Sequence, residues 1–218
     1  MYLSDREMEK AIKQGALIVD PPVEIGPTSI DLHLDSVDEA KIWDIKKFKE
    51  ANQAAGHADL ELNIGKFKYK MFSPTYLLPP PEQDGANVQV WRRGNQIIIK
   101  PGGFLLWQTR ERVGTPERNP RFIIFIDGKS TRTARTGLVV HLTAPTIHAG
   151  WSGNITLEMA NLGPFHIVLS EGDAVAQIVV AKITSPPKGS MAKVSTTMGQ
   201  TNVSGNAAPR KKPSLSSR

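Results

Sequence analysis

A chain of 218 residues with 39% hydrophobic residues can bury one full core, and no run approaches the roughly 20 apolar residues that a membrane helix needs. Without cysteine, disulfides, thiolate catalysis and cysteine-based zinc sites are all excluded. The formal charge of +6 is uneven: Arg210, Lys211, Lys212 and Arg218 hold four of those charges in a stretch without acids, which leaves about +2 for the body.

A weakly basic body suits a polyanionic small molecule as well as nucleic acid. The basic tail reads first as a solvated terminus, so nucleic acid is the lesser expectation. The opening residues, Met1 to Arg6, are charged where an export signal would be apolar. Together with the missing cysteines, this makes the cytoplasm the expected compartment and a membrane partner unexpected.

In chain order, Ser4-Asp5-Arg6-Glu7 reads as a capping box, with Met8, Ala11 and Ile12 on one face and Gly15 as the stop. A helix is expected over residues 5–14. Ala16 to Val19 reads as a short strand, and Pro21-Pro22 breaks it. Ile30, Leu32 and Leu34 alternate as in a half-buried strand. From Asp35 to about Gly94 the pattern loosens. Lys41 to Ala54 forms a candidate charged helix, Lys66 to Lys70 alternates like an exposed strand, and Pro79-Pro80-Pro81 marks a loop. Residues 36–95 are therefore expected as an insertion on the domain.

From Gln96 onward the pattern is β. Strands are expected at 97–99, 104–109, 122–126, 137–142, 154–159, 166–169 and 174–181, with a tight turn at Glu171-Gly172-Asp173. Many short strands without intervening helices indicate a sandwich or a barrel. After Ser185-Pro186-Pro187 the chain turns polar and small. One domain is expected over 1–187, followed by a flexible arm and basic tail over 188–218.

Lys129 to Gly137 packs three cations and four hydroxyls into nine residues. Arginine forks, a lysine and hydroxyl donors together suit phosphate oxygens, although a solvated basic loop has the same composition. It is not a P-loop, because that motif's first glycine would fall on Ile123. Glu158 alternates with Ile155 and Leu157 on the polar side of a strand. Such a residue is usually solvated, but in a closed pocket it is suited to general acid/base work. His141 and His148 read as structural, and the histidines lack metal-ligand spacing. The zinc deaminase signature needs cysteines that this chain does not have.

Several segments together resemble one family, the zinc-independent dCTP deaminases. Leu3-Ser4-Asp5-Arg6 resembles the family's opening, and Pro27 to Leu32 its P-x-S-x-D-x segment. Pro101-Gly102-Gly103-Phe104 with Thr109 to Val113 is similar to "PGEF…T-x-E-x-V". Lys129 to Leu138 resembles "G-[RK]-S-S-x-x-R-x-G-L". His141 to Ala144 and Gly150 to Glu158 resemble the strands around the catalytic glutamate, and Gly172 with Gln177 the closing turn and strand.

The resemblance implies a mainly β fold, a distorted β-barrel of the dUTPase type with a short N-terminal helix, assembled as a homotrimer with sites between subunits. It implies hydrolytic deamination of a deoxynucleoside triphosphate, dCTP to dUTP and ammonia, supplying dUTP for thymidylate synthesis. Magnesium would be carried on the nucleotide phosphates, with no zinc. By position, Glu158 matches the water-activating glutamate and Arg135 the arginine beside that water. The catalytic-loop hydroxyl falls on Thr131 counting from Arg135 and on Ser130 counting from Gly128. Substrate contacts fall on Lys129, Ser130, Thr131, Arg132, Thr133, Ala134, Arg135, His148, Thr156, Leu157, Glu158, Gln177 and Gln200.

Three departures accompany the match. The basic loop has one extra residue. His148 stands where the family has an aspartate. The C-terminal lid, expected around Met191 to Thr201, offers Lys193 and Gln200 but no tyrosine. Cleavage to dUMP, alone or after deamination, remains an alternative, as does a catalytically silent trimer used for regulation or binding.

Overall fold

The computed structural model describes residues 1–57, 60–141 and 143–206. The elements are α1 (Asp5–Lys13), β1 (Ile18–Asp20), β2 (Ile30–His33), a 3-10 turn at Val37–Glu39, β3 (Ile42–Trp43), α2 (Ile45–Ala54), α3 (Tyr69–Tyr76), β4 (Leu77–Leu78), β5 (Val90–Arg93), β6 (Gln96–Ile99), β7 (Phe104–Gly114), β8 (Phe122–Gly128), β9 (Leu138–Val140), β10 (Thr146–Ile147), β11 (Ser152–Asn161), β12 (Ile167–Ser170), β13 (Ala174–Lys182) and α4 (Met191–Val194). The fold is mainly β, with a short N-terminal helix, as expected.

Two four-stranded sheets, ordered β1-β7-β11-β9 and β10-β8-β13-β2, share one core with a three-stranded sheet, β12-β6-β5. Among the described residues no continuous ladder closes the sheets into a ring, so the barrel is open and distorted. Trp107, Leu32, Leu157, Met159, Ile126 and Ile178 are wholly buried between the sheets. Strands β2, β8 and β11 each alternate buried and half-exposed residues, the pattern of a sheet with one face in the core.

The β7–β11 ladder contains the main irregularity. Asn154 faces Arg112, but the next pair is Thr156 with Gln108, so β7 has two extra residues. Because the excess is even, side chains beyond the bulge keep their faces. Thr109 repairs the gap: its Oγ1 accepts from Ile155 N at 2.9 Å and donates to the Glu111 carbonyl at 2.8 Å. Glu111 turns inward, is fully buried, and accepts from His33 N at 2.8 Å, with His33 Nδ1 at 2.9 Å and Arg110 at 3.2 Å. A buried carboxylate with this many donors ties β2 to β7.

Three expectations change. The Ser4 hydroxyl donates to the Glu7 carboxylate instead of accepting from a helix N–H, so only part of the capping box forms. Lys66 to Lys70 is not a strand. Tyr69 opens α3, because Tyr69, Phe72 and Tyr76 fall at helical spacing and pack with Phe48 and Phe67. Residues 188–206, expected to be flexible, lie against the body: Val203 is wholly buried and Gln200 is 5% exposed. Residues 207–218, which hold most of the basic tail, lie outside the described residues.

Candidate active site

Strand β11 positions the site. Leu157 and Met159 point into the core, which turns Thr156 and Glu158 toward the opposite face. That face opens on a cavity of about 340 Å³, lined among others by Glu158, Thr156, His148, Trp151, Tyr69 and Gln200.

Glu158 is held by the segment after β9. Its carbonyl accepts from His141 N at 2.9 Å, and its carboxylate accepts from the Thr143 hydroxyl. His141 adopts a positive φ of 57°, which turns the chain at this point. Its Nε2–H donates to the Ala144 carbonyl at 2.8 Å, and Nδ1 is buried without a partner among the described residues. The imidazole thus braces the 141–144 turn that carries Thr143.

Gln200 enters from the arm. Its amide donates to the Asn154 carbonyl at 2.7 Å and to Thr156 Oγ1 at 3.2 Å, and its carbonyl accepts from Asn154 N at 3.0 Å. The arm approaches so closely at Gly153 that an added Cβ would lie 3.1 Å from the Gln200 carbonyl. His148 is exposed at the cavity rim, and its carbonyl accepts from Trp151 N at 3.1 Å.

The cavity therefore gathers Glu158, Thr156, His148 and Gln200 from the residues singled out in the sequence. Leu157 is fully buried and offers the cavity no side chain. Gln177 lies on β13 between Asp31 and Asp127, away from the cavity lining. None of residues 129–135 lines the cavity of its own chain. In that loop Lys129 pairs with Asp31, Arg132 approaches Asp173 at 3.9 Å, and Thr133 is buried with its hydroxyl donating to the Lys129 carbonyl at 3.1 Å. Ser130, Thr131, Ala134 and Arg135 are exposed, and Arg135 has φ 72°. Gly137 ends the loop, where a Cβ would lie 2.2 Å from Gly163 N.

Tyr69 is one of two residues that sequence reasoning missed. It comes from α3 and lines the cavity with Glu158. Burial, and then the negative charge of Glu158, push its phenol above the ordinary tyrosine range, so it stays a protonated donor. The aromatic spacing of residues 69, 72 and 76 was the available signal. Thr143 was also missed as a side-chain partner of Glu158.

The family model described as dCTP deaminase-like matches residues 2–183. A protein of Natronomonas pharaonis named dCTP deaminase is 29% identical over 190 residues, covering 85% of this chain and 83% of that protein. A protein of Methanosphaera stadtmanae named dCTP deaminase, dUMP-forming, is 31% identical over 205 residues, covering 91% of this chain and 89% of that protein. Among solved structures, 2'-deoxycytidine 5'-triphosphate deaminase from Agrobacterium tumefaciens superposes with a TM-score of 0.54 at 17% identity. That match covers 84% of this chain but spans only 48% of the Agrobacterium chain.

Proposed function

The chain belongs to the dCTP deaminase-like family, and from that premise we propose that it hydrolyses dCTP to dUTP and ammonia, with Glu158 as general base. The observation that carries the reading is the Glu158 carboxylate on the wall of a cavity, fixed through Thr143 and through its own carbonyl.

In the reaction, Glu158 takes a proton from water as the oxygen attacks C4 of the cytosine ring. The protonated Glu158 gives that proton to ring N3, then takes the remaining proton of the added hydroxyl and passes it to the C4 amino group, so that the C4–N bond breaks, ammonia leaves and the C4 carbonyl forms. The base would lie between Thr156 and Trp151, and Gln200, by bonding Thr156, fixes the wall of the cavity against which it rests.

The cavity lining supplies a base but no lysine or arginine, whereas the 129–135 loop, exposed at Ser130, Thr131, Arg132, Ala134 and Arg135, supplies cations and hydroxyls without a base. We place that loop over a neighbouring subunit's Glu158 in a homotrimer, with Arg135 and Ser130 or Thr131 holding the water and Lys129 and Arg132 the phosphates. Magnesium would arrive on the triphosphate. The loop fits this arrangement because hydroxyl, lysine and arginine groups bind phosphate oxygens, while a hard cation takes oxygen ligands from the phosphates themselves. We assign the reaction to dUTP supply for thymidylate synthesis in the cytoplasm.

One assay tests the reading. The protein is incubated with dCTP, dCMP and dUTP in the presence of magnesium, and ammonia and pyrophosphate are measured separately. Ammonia from dCTP without pyrophosphate is the expected result. No ammonia from any cytosine nucleotide would refute it. The name of the Methanosphaera relative favours a second reading, in which the enzyme runs on to dUMP. Pyrophosphate released from dUTP would establish that reading.

A further inference from the structure

Helix α3 lies in the inserted region, to which the resemblance assigns no role, yet it touches both the cavity and the C-terminal arm. The Tyr69 phenol donates to the Val203 carbonyl, and Ser73 Oγ donates to the Ser204 carbonyl at 3.0 Å. The Tyr69 ring is propped edge-on by Trp43 and Phe67, with centroids 6.5 and 6.4 Å away. Gly205 passes so near this ring that an added Cβ would lie 3.6 Å from it.

The opposite side of the arm is held by the β body. Gly199 N donates to the Ser152 carbonyl at 2.8 Å, Gln200 is bonded to Asn154, and Gln108 Nε2 donates to the Thr201 carbonyl at 3.2 Å. Residues 199–204 thus run between the body and α3, with the Val203 side chain wholly buried in the seam. Thr197 and Gln200 of the same arm line the Glu158 cavity.

We propose that the inserted region is a latch: Tyr69 and Ser73 grip the arm by two consecutive carbonyls and hold it closed beside Glu158 before any substrate binds. Tyr69 is then a positioning residue, acting on substrate through the arm. A latch of this kind raises the fraction of chains already competent to bind, and apparent affinity scales with that fraction. The phenol comes from the front of the chain, 134 residues away from its partner.

The inference uses the deaminase reading only for its effect on turnover, so its test has two parts. Hydrogen exchange of the full-length chain without nucleotide, followed through residues 199–205, reads the latch directly. Tyr69→Phe keeps the ring and its aromatic contacts, and Ser73→Ala is an independent second variant. Each should speed exchange of the arm roughly 2- to 10-fold, the effect of one lost net hydrogen bond, and the double variant should speed it further. In turnover of dCTP, KM should rise by a similar factor while kcat changes less than about twofold, because bound substrate recloses the arm. Unchanged exchange in both variants would overturn the latch. A fall in kcat at constant KM would also overturn it, by making Tyr69 part of the chemistry. If dCTP is not a substrate but exchange still responds, the function is refuted and the latch stands.

Discussion

The Thr143 hydroxyl donates to the Glu158 carboxylate, joining the turn after β9 to the middle of β11. The bond engages one of the two carboxylate oxygens. It also explains why a side chain on a sheet face has a defined orientation, since a lone strand glutamate would sample several rotamers.

This pairing separates the two roles in mutants. Glu158→Gln keeps volume and the hydrogen bond but cannot accept a proton, so kcat for dCTP should fall at least roughly 10²–10⁴-fold with little change in Tm. Thr143→Val should fall less, by about 10–100-fold, the effect of losing a hydrogen bond to a charged group, and Thr143→Ser should recover most of it. Steady-state kinetics with thermal melts checks both. Unfolding of Glu158→Gln would make the residue structural.

Subunit exchange tests the shared site. Glu158→Gln and Arg135→Ala should each be nearly inactive alone. Mixed trimers should regain part of the activity, because some interfaces join an intact loop to an intact Glu158. Light scattering showing a monomer, or verified exchange without rescue, would remove the trimeric arrangement.

His148 should leave dUTP intact. A carboxylate able to activate water for attack on the phosphates is expected where this imidazole stands, and a 1 Å misplacement can cost about 100-fold. Pyrophosphate release from dUTP, monitored with wild type and His148→Asp, checks this. The variant should gain the activity and wild type should lack it.

Alkaline stability should carry the mark of Tyr69. Its phenol is raised by burial and by Glu158 in the folded chain, so between the unfolded value of about 10 and the folded one the native state binds more protons. Stability should therefore be full below about pH 10 and decline above it. Tyr69→Phe should show a smaller decline. Denaturant melts from pH 8 to 11 measure the difference, and parallel curves for the two proteins would contradict the assignment.

Much of the fold was legible because its signals were local. Alternation in Ile30-Asp31-Leu32 and in Ile155 to Met159 gave the faces of β2 and β11, and Gly15, at φ 66°, gave the end of α1. Thr156 and Glu158 follow from the same alternation. The stretch leading into α3 was harder to read because Lys66-Phe67-Lys68-Tyr69-Lys70 obeys a strand period over five residues and a helical one only when continued to Phe72 and Tyr76. The bulge at Thr109 to Glu111 was hidden, since a two-residue excess leaves the alternation in phase. Tyr69 with Val203 was beyond reach: a donor and a backbone carbonyl so far apart in sequence leave no periodic trace.

The arm's bonds to β11 have a consequence for handling the protein. Among the described residues β9 pairs with Met159, Ala160 and Asn161 of β11, so the first half of β11 would be an open edge if Gly199 and Gln200 did not cover it. An uncovered edge presents backbone donors and acceptors to any other copy of the chain. A protease nick upstream of Gly199 that freed this segment would thus do more than slow an enzyme; it would create a seed for sheet-to-sheet aggregation. Storage losses should track cleavage of the arm, seen as light scattering that rises with the nicked fraction and not with age alone.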